Sequence, residues 1–390
     1  MSRSDPPFLS YGRQHITDAD VAAVAEVLRS DFLTQGPAVP RFEAALQALT
    51  GAPHVFAMAN ATAALHLSCL ACDVGPGDVV WTSPNSFVAS ANCALYCGAD
   101  ADFVDIDPAT FNMSADALEA KLAAAEAAGG RLPKVVIPVH FAGQPCDMGR
   151  IGALARRYGF RVIEDASHAV GAMLGNTPIG GCADSDIAVF SFHPVKIVTT
   201  GEGGAAMTRD PVLAERLELL RSHGVTRRED LMSGPPEGPW YYEQVALGFN
   251  YRMTDIQAAL GASQLERLEG YLRRRHELGA LYDERLAGLP LTTPLRVGGR
   301  FSAFHLYVIQ LDDPALRRPV FEALRGANIG ANVHYIPIHL QPYYRALGFG
   351  PGDFPNAEAY YARAITLPLH PQMSDGDVDR VADCLREALA

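Results

Sequence analysis

The chain has 390 residues, with 32 Lys and Arg against 44 Asp and Glu, a formal net charge of −12. Hydrophobic residues make up 48% and charged residues 19%, enough apolar side chain for a full core, which excludes a long disordered protein. The acidic balance argues against a broad nucleic-acid surface, which needs clustered Lys and Arg, though it leaves room for a local basic pocket.

The length predicts about two or three domains, or one large α/β domain with a smaller companion. The opening stretch, residues 1–15, lacks the apolar segment of a secretion signal, and no apolar run approaches the roughly 20 residues of a membrane helix. Seven Cys, an odd count in a long chain, argue against a disulfide framework. The expected location is the cytoplasm, with no membrane and no nucleic acid as partner.

In chain order, strand-like Val55–Met58 runs into Asn60-Ala61-Thr62, and Thr62–Cys72 then has a helical pattern. Short β-branched runs follow at Asp78–Thr82, Asp102–Asp105, Val135–Val139, Arg161–Glu164, Asp186–Phe190 and Gly204–Thr208. Most are continuously apolar, as parallel strands covered on both faces are. Between them, Ser114–Ala127 opens on a Ser cap, pairs Leu118 with Leu122 and stops before Gly129, while Asp147–Tyr158 ends at Gly159. Alternating strands and helices predict right-handed crossovers and a mostly parallel central sheet with helices on both faces. Ligands of such sheets sit beyond the carboxyl ends of the strands. After Arg252 the texture changes. Asp255–Leu286 is one long helical stretch, Phe304–Leu311 and Val333–Ile336 are strand candidates, and Asp375–Leu389 is a closing helix. The expected division is 1–252, an N-terminal arm and large α/β domain, and 253–390, a small α+β domain.

Chemistry-bearing residues gather at the predicted strand ends. Arg161–Glu164 leads into Asp165, a carboxylate that is costly to bury without a cationic partner. Asp186–Phe190 leads into Ser191-Phe-His-Pro-Val-Lys196, which brings a lysine near the same place. The small residues after Val55–Met58 open a helix whose free N–H groups suit a phosphate, and Asp78–Thr82 leads to the aromatic Phe87. One ligand uses all four features, pyridoxal 5′-phosphate. Its aldehyde needs a lysine, its ring nitrogen a carboxylate, its phosphate a helix start and its flat face an aromatic neighbour. Taken singly, Asp165 also fits a turn cap, Lys196 a solvated surface and Phe87 a core position.

Other features carry weaker signals. Cys69-Leu-Ala-Cys72 has redox-motif spacing but lies in an apolar helical pattern, so core packing is the expected role. His334 and His339 are separated by Pro337 and have no carboxylate or Cys beside them, so no metal site is expected. Gly201-Glu-Gly-Gly204 precedes a strand and predicts a tight turn, not a dinucleotide loop. Arg227-Arg228 and Ser233–Pro239 form a loop that fits a substrate lid and a plain surface connection equally well.

The ordered set Phe32–Pro37, Asn60–Leu65, Val104–Asp107, Pro138–Gly143, Glu164–His168, Ser191–Lys196, Gly201–Gly204 and Gly248–Met253 resembles the DegT–StrS family over nearly the whole chain. Those are pyridoxal-phosphate aminotransferases of nucleotide-linked keto-sugars with the type I aminotransferase fold. A narrower likeness, in Trp81–Pro84, Phe87–Gly98, Ser191–Lys196 and His339–Tyr344, is to members serving the pseudaminic-acid pathway. It implies L-glutamate as amino donor, a UDP-linked 4-keto-6-deoxy-N-acetyl sugar as acceptor and UDP-4-amino-4,6-dideoxy-N-acetyl-β-L-altrosamine as product. Pyridoxamine 5′-phosphate carries the amino group between the two halves. Legionaminic-type or bacillosamine-type sugars are alternatives. A sugar dehydratase or a non-catalytic binder fits less well, because Lys196 is intact.

The resemblance assigns Lys196 as the Schiff-base lysine and Asp165 as the partner of the ring nitrogen. His168, where many members have Gln, lies beside the cofactor's ring oxygen, and Phe87 stacks on the ring. Ala61, Thr62 and Ser191 hold the phosphate, joined by Asn250 from the neighbouring subunit of a homodimer. The usual Ser-Gly-Thr of the phosphate cup is Asn60-Ala61-Thr62 here, so a backbone contact survives and a hydroxyl contact at 60 does not. Thr34, Arg252, Tyr335 and His339 are the candidates for the UDP-sugar.

Overall fold

The computed structural model describes residues 6–390; residues 1–5, part of the expected N-terminal arm and of the stretch read for a secretion signal, lie outside the described residues. Seven strands make the main sheet: β1 His54–Met58, β2 Val79–Thr82, β3 Asp100–Phe103, β4 Val135–Ile137, β5 Arg161–Asp165, β6 Ile187–Ser191 and β7 Gly204–Thr208. Their order is β1-β7-β6-β5-β4-β2-β3. Only β7 runs against the others, pairing antiparallel with β1 and β6. The sheet is therefore mostly parallel. Strand β3 lies two residues before the expected Asp102–Asp105, and the other six stay within two residues of expectation.

Helices α1 Asp18–Leu28, α2 Ala38–Thr50, α3 Ala61–Ala71, α4 Ala89–Tyr96, α5 Ala115–Ala127, α6 Met148–Tyr158 and α7 Pro211–Arg221 accompany the sheet. Ser114 and Asp147 cap α5 and α6 through their side chains, and Gly159 closes α6 in the left-handed conformation. Helices α1, α2, α4 and α7 add to the expected set. Two of them carry start signals in the sequence: a capping box at Thr17 and Asp20 for α1, and Asp210 followed by Pro211 for α7. Helix α3 buries Cys69 in the core, and Cys72, which caps its C-terminal end, is buried there too, as expected for packing residues.

The stretch expected as one helix over Asp255–Leu286 is two, α8 Asp255–Leu265 and α9 Leu268–Arg285. The break is tertiary in origin. Buried Asp20 of α1 accepts from Ser263, Gln264 and Arg267, and the Arg267 contact closes to 2.6 Å. That pairing holds Arg267 outside the helical path. Helix α9 then spans two cores. Its first residues, Leu268, Tyr271 and Leu272, join the large-sheet cluster of Phe42, Leu46 and Met207, while Leu278, Tyr282 and Leu286 join the C-terminal cluster. We propose that the unit boundary lies within α9 and not at residue 252.

The C-terminal unit holds strands β8 Leu291–Thr292, β9 Tyr307–Leu311 and β10 Ala364–Leu367 with helices α10 Arg317–Gly326, α11 Pro342–Arg345, α12 Pro355–Arg363 and α13 Asp375–Leu389. Val333–Ile336 is not a strand. Asn332 pairs once with Thr366 of β10, and the chain then leaves the sheet toward Pro337, which has no N–H for a ladder. Among the described residues, no helix is long and apolar enough to cross a membrane, and no group of three or more His, Cys, Asp or Glu is placed to hold a metal ion.

Phe103 at the end of β3 ties the two units together. Its ring meets Tyr344, Phe349 and Phe354 edge-on at 5.1–5.7 Å. Phe103→Ala is expected to cost about 3–5 kcal/mol of stability, read as a lower urea midpoint; an unchanged midpoint would mean that this aromatic cluster does not hold the units together.

Candidate active site

The carboxyl ends of β1, β2, β5 and β6 and the amino end of β7 share one rim. A cavity of about 980 Å³ opens there. It is closed on the far side by the C-terminal unit, which contributes His305, Asn332, His334 and Tyr335. Of the residues expected at the cofactor, Ala61, Thr62, Phe87, Asp165, His168, Ser191 and Lys196 all line it.

Lys196 sits in the loop between β6 and β7. The loop is held by Phe192, whose amide donates to Gly203 and whose carbonyl accepts from Thr199 Oγ1 and the Thr200 amide. Gly201 makes the expected tight turn at φ +82°. Lys196 touches the cavity, yet loss of solvation lowers its pKa to about 8, against the pull of Asp165 toward the charged form. An amine that is neutral in a sizeable fraction at physiological pH is a usable nucleophile and base.

Asp165 is 5% exposed. Its Oδ2 accepts from Ser90 Oγ at 2.6 Å, Ser90 Oγ lies 2.7 Å from Ser86 Oγ, and its Oδ1 accepts the Ser167 amide at 3.1 Å. These contacts satisfy both carboxyl oxygens without a cation in direct contact. The next residue back, Glu164, is buried on the other face with His140 at 2.7 Å and Ser185. Ser90 and Ser86 escaped the sequence reading because α4 was not expected. Ser90 lies in the first turn of α4 and Ser86 in the bend that leads into it, so no helical periodicity marks the pair.

At the start of α3, Asn60 Oδ1 accepts the Ala63 amide at 2.8 Å. Asn60 is thus the helix cap and leaves the first amides, at Ala61 and Thr62, without an intrahelical acceptor. Gly204 allows the close approach here: a Cβ on it would lie 2.5 Å from the Ala61 nitrogen. Phe87 is 59% exposed, with its ring turned to the cavity and 6.4 Å from that of Tyr335. Burial pushes the pKa of His168 and His305 well below the usual imidazole value, helped by Lys196, and that of His334 down to about 3. All three rings are neutral, so proton exchange is left to Lys196.

Four expected residues stand elsewhere. His339 is fully buried, bonded to Glu358 at 3.0 Å against Phe354, so it cannot meet a substrate and the expectation is corrected. Thr34, Asn250 and Arg252 do not line the cavity of their own chain. Their backbones pair with Thr254, Ser222 and Met58, which groups them on one face beside β1. Arg252 donates to Ser222 Oγ at 3.0 Å. Of the four substrate candidates, only Tyr335 reaches the cavity. Tyr11 and Asn332 reach it as well, from segments with no motif to mark them.

Residues 14–386 match the DegT/DnrJ/EryC1/StrS aminotransferase family. The chain belongs to that family. The spore coat polysaccharide biosynthesis protein SpsC of Bacillus subtilis is 40% identical over 386 residues, 97% of each chain. Among solved structures, Helicobacter pylori PseC, an aminotransferase of pseudaminic acid biosynthesis, superimposes with a TM-score of 0.89 at 31% identity, covering 98% of this chain and 99% of that one. Spr1654 of Streptococcus pneumoniae, solved in its pyridoxamine-phosphate form, gives 0.88 at 31% identity over 98% of each chain. The protein is accordingly a sugar aminotransferase of the type I fold that uses pyridoxal phosphate, and its substrates are an amino donor and a nucleotide keto-sugar.

The Ser90 hydroxyl donates to Asp165. Ser90→Ala is expected to weaken pyridoxal phosphate binding by roughly tenfold, the effect of one hydrogen bond to a charged group, in an absorbance titration; unchanged affinity would mean that Ser90 has no part in holding the carboxylate.

Proposed function

We propose that this aminotransferase moves the amino group of L-glutamate to C4 of a UDP-linked 4-keto-6-deoxy-N-acetyl sugar, giving UDP-4-amino-4,6-dideoxy-N-acetyl-β-L-altrosamine. The observation that carries the chemistry is Lys196 facing Asp165 across one cavity, with an open helix start beside them. The likeness to PseC over nearly the full length supports the sugar. The likeness to SpsC supports a second reading, the same transfer on another 4-keto sugar of a surface polysaccharide, such as a legionaminic or bacillosamine type.

The residues fit pyridoxal phosphate. Lys196 is the amine for its aldehyde, Asp165 the acid partner for its ring nitrogen and Phe87 the face for its ring. The amides of Ala61 and Thr62, with the hydroxyls of Thr62 and Ser191, are the donors for its phosphate. When bound, that group supplies an aldehyde carbon that takes up and releases an amine, and a ring that accepts the electron pair left by a departing proton. The rest is done by the chain. Lys196 Nζ lifts the proton from the donor's α-carbon and returns one to C4 of the sugar, and the face it occupies sets the configuration there. Asp165 keeps a proton on the ring nitrogen. The wall of His305, His334 and Tyr335 excludes water.

The cavity's own charges support a shared site. One cation, Lys196, lines it against Asp165 and Glu202, while the cofactor phosphate, the donor carboxylates and the diphosphate are all anions. A homodimer in which the face bearing Thr34, Asn250 and Arg252 approaches the partner's cavity supplies the missing positive charge.

Purified protein with pyridoxal phosphate, glutamate and the UDP-linked keto-sugar is expected to yield the 4-amino sugar, identified by mass and NMR, and Lys196→Ala to yield none. Product formation only from a sugar of the other configuration would favour the second reading, and wild-type rates in Lys196→Ala would sink the mechanism. Capture of pyridoxal phosphate by cofactor-free protein needs the neutral amine, so its rate should rise with pH through a midpoint at about 8. Asp165 favours the charged amine, so Asp165→Asn should move that midpoint lower; a midpoint near the ordinary lysine value of 10.5 would refute the burial argument.

A further inference from the structure

His168 is where this chain departs from the glutamine common at that position, and its hydrogen bonds have a direction. The Ala142 amide donates to His168 Nδ1 at 3.3 Å. That amide is fixed. Ala142 is left-handed at φ +57°, its carbonyl accepts the His305 amide at 2.9 Å, and Gly143 accepts the Ala303 amide at 3.0 Å. A Cβ on Gly143 would lie 2.9 Å from the His168 carbonyl, so the turn and the histidine strand end are in close contact. A nitrogen that accepts a backbone N–H carries no proton of its own. His168 is 5% exposed, and Lys196, His334 and His305 face it, so its ring is neutral and the single ring proton sits on Nε2.

Nε2 lies 3.1 Å from Tyr335 Oη. With the proton on Nε2, the tyrosine oxygen is the acceptor. Its own hydroxyl hydrogen is then free, and Tyr335 faces the cavity. Burial, Tyr11 and Asp165 all raise the phenol pKa, so that hydrogen stays in place. We propose that Tyr335 donates a hydrogen bond to a ligand oxygen, anionic or carbonyl, in the cavity, and that His168 is its positioning residue. This rests on the aminotransferase reading above and adds to it a directed chain, Ala142 N–H to His168 to Tyr335 O–H to ligand.

The first test needs no substrate. Full-length protein carrying ¹⁵N-histidine, cofactor-free and loaded, is expected to show His168 protonated at Nε2 and bare at Nδ1, with its signals identified by their loss in His168→Gln. A proton on Nδ1, or a doubly protonated ring, would overturn the chain. The second test follows the glutamate half-reaction by absorbance. Tyr335→Phe and His168→Leu should each slow it by roughly tenfold, the double variant should be no slower than Tyr335→Phe alone, and His168→Gln, which keeps an N–H donor, should regain most of the lost rate. Losses that multiply in the double variant, or no rescue by Gln, would overturn the positioning role. A wild-type protein inert toward glutamate would overturn the aminotransferase reading instead, and the ring tautomer would still decide the hydrogen-bond chain.

Discussion

Everything at the site depends on an amine and a carboxyl group brought to one cavity, both largely removed from solvent. Neither charge is cheap to bury, and an unpaired one costs several kcal/mol. The structure meets that cost differently on each side. The oxygens of Asp165 accept from Ser90 and the Ser167 amide, with Ser86 behind Ser90. Lys196 yields part of its charge, its pKa falling to about 8 while Asp165 restrains the fall. The result is a fixed, hydrogen-bonded carboxyl group opposite an amine whose charge is adjustable, the arrangement the proposed proton transfer uses.

The main sheet provides the positions. Parallel strands end on the same rim, so residues far apart in sequence meet there: Asn60 after β1, Phe87 after β2, Asp165 on β5, and Ser191 and Lys196 at and after β6. The sheet does not close the site. Closure comes from the C-terminal unit, through the segments 302–306 and 332–335, which leave their own sheet to lie across the rim. Helix α9 runs through both cores and Phe103 meets the aromatic side chains of residues 344–354, so the wall and the floor are held in register. The neutral rings of His305 and His334 on that wall, and of His168 after β5, add polarity to the cavity without adding charge.

Much of the sheet was legible because continuous apolar runs of four or five residues, bounded by turns, have few other readings. Asp165 and Lys196 were singled out because each follows such a run and one ligand needs both; taken singly, each had an ordinary structural reading, and the structure brings both to one cavity. The long helical stretch after Arg252 was misjudged where it mattered. Nothing local marks the break between α8 and α9, because its cause is Asp20, over 240 positions away in the chain. Val333–Ile336 has strand composition, but the pairing to β10 ends at Asn332, opposite Thr366, and the chain leaves the sheet there. His339 fails likewise: its residue type suits a substrate site, and its burial against Phe354 does not.

The sequence by itself determined the fold class, through local patterning that does not depend on distant partners, and the family, through motifs that resemble it; Lys196 and Asp165 are the amine and acid it proposes. Tertiary structure alone decided which polar groups stand behind Asp165, that Asn60 caps a helix, which candidates reach the cavity, and which nitrogen of His168 carries its proton. Those outcomes are set by contacts between segments that only folding brings within hydrogen-bond range, such as the Ala142 amide on His168 and the Ser90 hydroxyl on Asp165.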